Sequence, residues 1–229
     1  MQSVSAFDQD MTSELFVEIM KLFFDRGWMV GSGGGMAVTS KTGVIFYSPS
    51  SVQKERLLPN DLFVLSQETL ELVSRPQNPN IRESDCVPIF NLLLNDDEET
   101  NCVIHTHSKY ANLLTQLLGH DETFEISDQE MIKGIMNRRT RKNYSNIEIL
   151  CVPIIENATH EYMLLPQVKT VLEKYPDASA VLVRNHGLFV WGPTWQRTKI
   201  MLECYEYLFE LACDMIKCSI PLVKSLKVN

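Results

Sequence analysis

The sequence predicts a layered α/β or α+β domain with much antiparallel strand pairing. Three observations carry this: amphipathic helical patterns, short β-branched runs closed by turn residues, and no regular strand–helix–strand alternation of the kind a parallel sheet needs. With 229 residues, 45% hydrophobic and 22% charged, the chain can bury a full core as a single domain over 1–229, with two small domains as the alternative, and residues 1–11 and 219–229 are expected to be flexible tails.

Thr12 or Ser13 can cap the first helix, in which Leu15, Phe16, Ile19, Met20 and Phe23 recur at helical spacing until Gly27 stops it. After the cluster Gly31-Ser-Gly33-Gly34-Gly35, Met36 to Val38 and Val44 to Tyr47 read as strands joined by a turn at Lys41-Thr42-Gly43, and Leu62 to Leu65 as another. Pro76 to Asn80 reads as loop. Ser84-Asp85-Cys86-Val87-Pro88 reads as a helix start, with a hydroxyl cap and a proline in the first turn. Tyr110 to Leu118 is a short helix closed by Gly119, Gln129 to Gly134 a further helical turn, and Leu150 to Ile155 an edge-type strand because of Pro153. Gln167 to Tyr175 reads as an amphipathic helix, and strands Ala180 to Val183 and Leu188 to Trp191 flank His186. From Thr194 to about Lys217 a long helix is expected, with Ile200, Cys204, Tyr207, Leu208 and Leu211 recurring for packing or subunit contact.

A formal charge of −8 speaks against nucleic acid as the main partner, because phosphate-backbone binding needs a basic surface. No segment approaches the ~20 uninterrupted apolar residues of a membrane span, and the first residues lack a signal-peptide plan, so a cytoplasmic protein without membrane association is expected. The lysines and arginine at Lys54, Arg56, Lys109 and Lys133 each read singly as solvated surface charges, or as local positives for an anionic substrate. Six cysteines without a CxxC pair read as reduced thiols. Five of them, Cys102, Cys151, Cys204, Cys213 and Cys218, read as packed; Cys86 falls within the positive end of a helix, where the dipole favours thiolate, with buried filler as its alternative.

Cys102-Val-Ile-His105-Thr-His107 ends an apolar run with two histidines one residue apart, and in a strand that spacing aims both imidazoles at one face. His186 ends a second β-branched run, just before Gly187. The pair alone also fits surface or hydrogen-bonded core histidines; three histidines with a position left open is the arrangement of a catalytic zinc, which activates water or polarises a substrate oxygen. His120 and His160 lie among polar residues and read as exposed. Glu130 is a candidate base, with a plain surface acid as its alternative. The glycine cluster and Ser48-Pro-Ser-Ser51 offer N–H and hydroxyl donors for phosphate, or are plain turns.

Gly31-Ser-Gly-Gly-Gly35, Ser48-Pro-Ser-Ser-Val-Gln-Lys-Glu-Arg56, His105-Thr-His-Ser-Lys109, Gln129-Glu-Met-Ile-Lys-Gly134, Pro153-Ile-Ile-Glu-Asn157 and His186-Gly-Leu-Phe-Val-Trp-Gly192 occur together and in order. With them the chain, from about residue 12 to about residue 218, resembles the methylthioribulose-1-phosphate dehydratases, methionine-salvage lyases of the class II aldolase/adducin superfamily. The resemblance implies an α/β class II aldolase-like fold, a three-layer α/β/α domain with a largely antiparallel central sheet, assembled as a homotetramer with active sites near subunit interfaces. It implies one zinc per subunit held by His105, His107 and His186, with Glu130 as the catalytic acid/base and Cys86 assisting or positioning. The implied reaction is dehydration of 5-methylthioribulose 1-phosphate to 5-methylthio-2,3-dioxopentyl phosphate through an enediolate that zinc stabilises. Substrate contacts fall to Gly33, Gly34, Ser50, Ser51 and Ser84, with Lys109 and Lys133 supplying charge.

The chain departs from the family pattern at Ser32 for threonine, at Ser51 for the glycine of a Pro-Ser-Gly run, and at Asn185 for the second arginine of Arg-Arg-His-Gly. The Ser51 change is expected to alter backbone approach to phosphate, and the Asn185 change substrate affinity or an interface contact. The stretch Arg138 to Asn143 is also divergent. Two alternatives stand beside the dehydratase: a zinc aldolase or epimerase acting on another phosphorylated sugar, and a non-enzymatic adducin-like scaffold whose metal site has decayed. Metal analysis of the purified protein separates the last of these, since either enzyme carries about one zinc per chain.

Overall fold

The computed structural model of the chain describes residues 9–224, which fall into two units, one of residues 9–106 and 191–198 and one of residues 107–190 and 199–224. In the first, Thr12 Oγ1 accepts the Leu15 amide at 3.2 Å and starts α1 (Ser13–Asp25), which buries Phe16, Val17, Ile19, Met20 and Phe23. Then come β1 (Gly35–Thr39), β2 (Val44–Tyr47), the short β3 (Pro49–Ser50), β4 (Phe63–Ser66), β5 (Leu72–Ser74), the short β6 (Arg82–Glu83), α2 (Val87–Asn95) and β7 (Cys102–Thr106). The strands run in the order β5-β4-β2-β1-β7, every neighbour antiparallel, and β3 pairs with β6 separately. All five residues of β7 are buried, as are Ile89, Phe90 and Leu93 of α2.

The second unit holds α3 (Lys109–Leu117), β8 (Thr123–Ile126), β9 (Leu150–Ile155), α4 (Leu165–Lys174) and β10 (Ala180–Val183), with residues 187–190 of β11 (Gly187–Gly192) and 199–217 of α5 (Trp195–Lys217). Its strand order is β11-β10-β9-β8, antiparallel except for β9 with β10. Among the described residues no helix is long and apolar enough to cross a membrane.

The expected mixture of helices and mostly antiparallel strands is therefore present, with corrections. The strand β9 is not an edge: it lies between β8 and β10, and the proline is accommodated because β10 joins only beyond it, at Ile154 and Ile155. Strand β8, a weak alternation of Thr123-Phe-Glu-Ile126, takes the edge instead. Tyr207 is 52% exposed; α5 buries Met201, Leu202, Cys204, Tyr205, Leu208 and Phe209. Lys54 is no surface charge: it is fully buried, its ammonium donating to the carbonyls of Ser32 at 3.0 Å and Val52 at 3.1 Å, so that it ties the glycine loop to the turn after β3. Cys218 is exposed and Cys151 half-buried, while Cys86, Cys102, Cys204 and Cys213 are buried. Burial pushes the Cys102 thiol up to about 12 and those of Cys151 and Cys213 up to about 11, as expected of packing thiols.

Of the expected tails, residues 1–8 and 225–229 lie outside the described residues. Within them, Met11 is buried and the Gln9 carbonyl accepts from Trp195 Nε1 and Gln196 Nε2, both at 3.0 Å. Near the other end the Leu222 carbonyl accepts from the Ser127 amide at 3.1 Å.

Two glycines of the cluster differ instructively. Gly31 and Gly34 both have left-handed backbone, at φ +66° and +73°; a methyl on Gly31 would meet nothing within 4 Å, whereas one on Gly34 would lie 2.8 Å from the His105 carbonyl oxygen and from Met29. Gly31→Ala is expected to lose about 1–2 kcal/mol from backbone strain alone, and Gly34→Ala to lose more, because backbone must also shift. Urea denaturation of the two variants side by side measures the difference.

Candidate metal centre

The site begins where β7 ends. His105 is buried and sits opposite Gly35 in the β1–β7 ladder. Ser108 then accepts the Ala111 amide on its side chain at 3.1 Å and caps α3, so the strand gives way to helix and His107 stands in the joint between them.

His186 arrives on the tight hairpin between β10 and β11, where Val183 pairs with Gly187 and the His186 amide donates to the Val183 carbonyl at 3.1 Å. Asn185 has φ +57°, a left-handed conformation that asparagine adopts more readily than most residues. This hairpin is clamped to the far end of α3: the Asn185 amide donates to Thr115 Oγ1 at 3.0 Å, and Arg184 donates to the carbonyls of Thr115 at 3.0 Å, Asp121 at 2.9 Å and Gly119. Those carbonyls lie at the negative end of the helix, where a guanidinium is favoured. Arg184 also pairs with Glu156 at 2.8 Å. One helix thus joins the residue beside His107 to the turn that bears His186.

The imidazoles converge. Nε2 of His107 and Nε2 of His186 are 2.8 Å apart, with the ring planes at 73°. Asn157 Oδ1 lies 3.1 Å from His186 Nδ1; with that nitrogen donating, Nε2 keeps its lone pair for a metal. A fourth residue joins them: Glu161 Oε1 is 3.5 Å from His107 Nε2 and 3.4 Å from His186 Nε2. Within this unit the ligand atoms of His107, Glu161 and His186 thus lie within 3.5 Å of one another. Ligands at 2.0–2.1 Å from a tetrahedral ion stand about 3.3 Å apart, so the set fits a divalent transition metal. Glu161 begins a short 3-10 helix, Glu161–Leu164, and nothing in its local sequence marks it; only the chain's fold brings it to the histidines.

The other expected residues are placed as follows. Glu130 begins the 3-10 helix Glu130–Gly134, outside the four-residue group, with its side chain 72% exposed and paired to Lys133 at 2.6 Å. Cys86 is buried at the N-cap of α2, its amide donating to Ser84 Oγ at 3.2 Å; the serine hydroxyl therefore holds Cys86 and does not cap the helix as expected. The Gly33 amide is committed to the Val30 carbonyl at 3.2 Å, so the cluster shapes a turn that packs on the His105 strand. Ser50 and Ser51 share a hydroxyl contact at 3.2 Å, and Ser51 has φ +60°, which explains a family preference for glycine there. Lys109 is exposed, 5.9 Å from the Tyr110 ring centroid. His120 and His160 are exposed as expected. In the divergent stretch, Met136 bridges Asn143 and Arg139 pairs with Asp177 at 2.8 Å, a tied loop.

The sequence matches the family model for the class II aldolase and adducin N-terminal domain over residues 14–213. This chain belongs to the class II aldolase/adducin family. Among relatives in that family, a Caenorhabditis elegans protein named probable methylthioribulose-1-phosphate dehydratase is 49% identical, the match covering 94% of this chain and 81% of that protein. The Salmo salar methylthioribulose-1-phosphate dehydratase is 41% identical over 93% of this chain and 84% of its own length. Solved structures share the fold: L-fuculose 1-phosphate aldolase has a TM-score of 0.73 at 18% identity, covering 98% of this chain and 93% of that one. YgbL of Escherichia coli has 0.72 at 21% identity, covering 93% of each.

Because Asn157 touches the ring and not the metal position, Asn157→Ala should keep the fold while weakening metal affinity about 10- to 100-fold. Competition for the metal against a chromophoric chelator reads this directly.

Proposed function

We propose that this chain is a zinc-dependent hydro-lyase that dehydrates 5-methylthioribulose 1-phosphate to 5-methylthio-2,3-dioxopentyl phosphate in methionine salvage, acting in the cytoplasm as a homotetramer of single catalytic domains. The observation that carries the reading is the convergence of His107 and His186 beside Glu161, with His105 two residues before His107 in the sequence, in a chain whose relatives, at 41% and 49% identity, bear the dehydratase name.

A cation held by these histidines supplies Lewis acidity toward the ketose carbonyl and the adjoining hydroxyl. The protein's own groups do the rest. Neutral imidazoles leave the full metal charge available to the substrate, and Asn157 fixes the His186 ring that contributes to this. Glu130 is assigned as the principal acid/base, with the C3 proton removed and a proton supplied, by Glu130 or by Cys86, to the hydroxyl that leaves C4; this needs the exposed Glu130 carboxylate to meet the substrate in the assembled enzyme. Cys86, held at the start of α2, assists or positions. The Gly33 and Gly34 loop, the Ser50, Ser51 and Ser84 hydroxyls and the Lys109 and Lys133 ammonium groups are assigned to the substrate's phosphate and its charge.

The purified enzyme should release a diketone from 5-methylthioribulose 1-phosphate, and lose this activity on chelation of its metal. Glu130→Gln should bind metal as wild type does while kcat falls about 100- to 10,000-fold. Cleavage of the carbon chain to an aldehyde, followed by chromatography of the products, would replace the lyase assignment with an aldolase one.

A further inference from the structure

We propose that a cavity between α4 and the end of β9 is a second binding site, one for a small zwitterion: an α-amino acid with an apolar side chain. Binding there is independent of the function proposed above, whereas its effect on the metal centre rests on that reading.

The cavity has a volume of about 350 Å³, inside the range usual for small-molecule sites, and none of His107, Glu161 and His186 lines it. Its apolar lining is Ile154, Ile155 and Val171, all buried. The polar wall carries charges of both signs in two pairs, Lys174 with Glu122 at 2.9 Å and Arg184 with Glu156 at 2.8 Å. The first pair is open to solvent, with side chains 55% and 77% exposed; ion pairs of that kind hold together weakly and yield to a ligand that meets both charges. Arg184 is 12% exposed and has four N–H donors committed, so among the described residues its fifth, on Nη2, has no acceptor. His120, also on the wall, has no hydrogen-bond partner among the described residues.

A ligand of a single charge is opposed by half of this wall. An anion meets Glu122 and Glu156, and a cation meets Lys174 and Arg184. A molecule that bears a carboxylate and an ammonium on neighbouring atoms satisfies both signs: the carboxylate takes Lys174, His120 and the remaining Arg184 donor, the ammonium takes the two glutamates, and an alkyl chain covers the isoleucines and Val171. That is the head group of an α-amino acid.

The cavity also touches both supports of His186. Glu156 precedes Asn157, whose Oδ1 lies 3.1 Å from His186 Nδ1, and Arg184 stands two residues before His186 in the hairpin. An ammonium drawn to Glu156 competes with its pairing to Arg184, so occupancy loosens the ring that faces the metal. By linkage, a bound metal weakens the amino acid by the same factor.

The probe is L-norleucine, titrated calorimetrically into the full-length protein as purified. It should bind once per chain, with N-acetyl-L-norleucine, which lacks the ammonium, and L-norleucinamide, which lacks the carboxylate, each about 10-fold weaker or more. Thr170→Trp fills the cavity from the exposed side of α4 and should abolish binding. Lys174→Gln should weaken it severalfold, and carries the test if circular dichroism shows the tryptophan variant unfolded. Binding should survive removal of the metal by chelation, which separates this site from coordination of the amino acid at the histidines. Absence of binding, unchanged binding in both variants, or binding only while metal is present would overturn the site; equal binding of either derivative would overturn the zwitterion assignment. For the coupling, saturating L-norleucine should lower the Co2+ affinity of the stripped wild type about 5-fold and that of Thr170→Trp much less. An equal loss in both is chelation by the free amino acid, and the coupling then fails. If His107→Ala takes up Co2+ as wild type does, the metal reading falls and the coupling with it, while L-norleucine binding to the stripped protein still decides the site.

Discussion

The clamp between the end of α3 and the hairpin at residues 184–186 is the interaction on which the centre depends. Two imidazoles 79 positions apart in the chain reach a separation of 2.8 Å, and something must hold both to tenths of an ångström. One imidazole leaves the backbone where a capped helix starts. The other leaves it where the same helix, through Thr115 and its terminal carbonyls, grips Asn185 and Arg184. A helix is stiff along its axis, so its length sets the spacing and the polar contacts at its far end set the angle. Arg184 consequently spends four of its five N–H donors on carbonyls and on Glu156, holding the hairpin in place.

The same economy of backbone shapes the other side of β7. The glycine run brings a turn against the His105 carbonyl, and the buried Lys54 ammonium fastens that turn from behind. Residues that a motif reading assigns to phosphate thus include some that shape the protein around the ligand strand. Position in a motif says that a residue matters and leaves open whether it touches substrate.

Much of this was legible in the chain because it is local. Thr12, Gly27 and Gly119 mark helix ends through a hydroxyl or left-handed backbone, and the His-x-His spacing needs only the two-residue period of a strand. The misreadings were of things that neighbours decide. Pro153 suggested an edge, but a proline excludes only the hydrogen bond at its own position, and β10 pairs beyond it. Lys54 suggested solvent, because its carbonyl partners lie on another loop. Tyr207 shared the helical period of its neighbours yet fell on the face of α5 turned away from the core. Glu161 was invisible for the plainest reason: a lone acid in a polar stretch has no pattern, and its meaning comes from histidines distant in sequence.

The exposure of Cys218 just beyond α5, set against four buried cysteines and a half-buried fifth, has a practical side. A maleimide dye at limiting concentration meets this thiol ahead of the buried ones, and burial holds the hydrogens of Cys102 and Cys213 in place. The native chain thus comes with a handle just beyond α5 for fluorescence or surface tethering, reached without substituting any residue of the candidate metal centre.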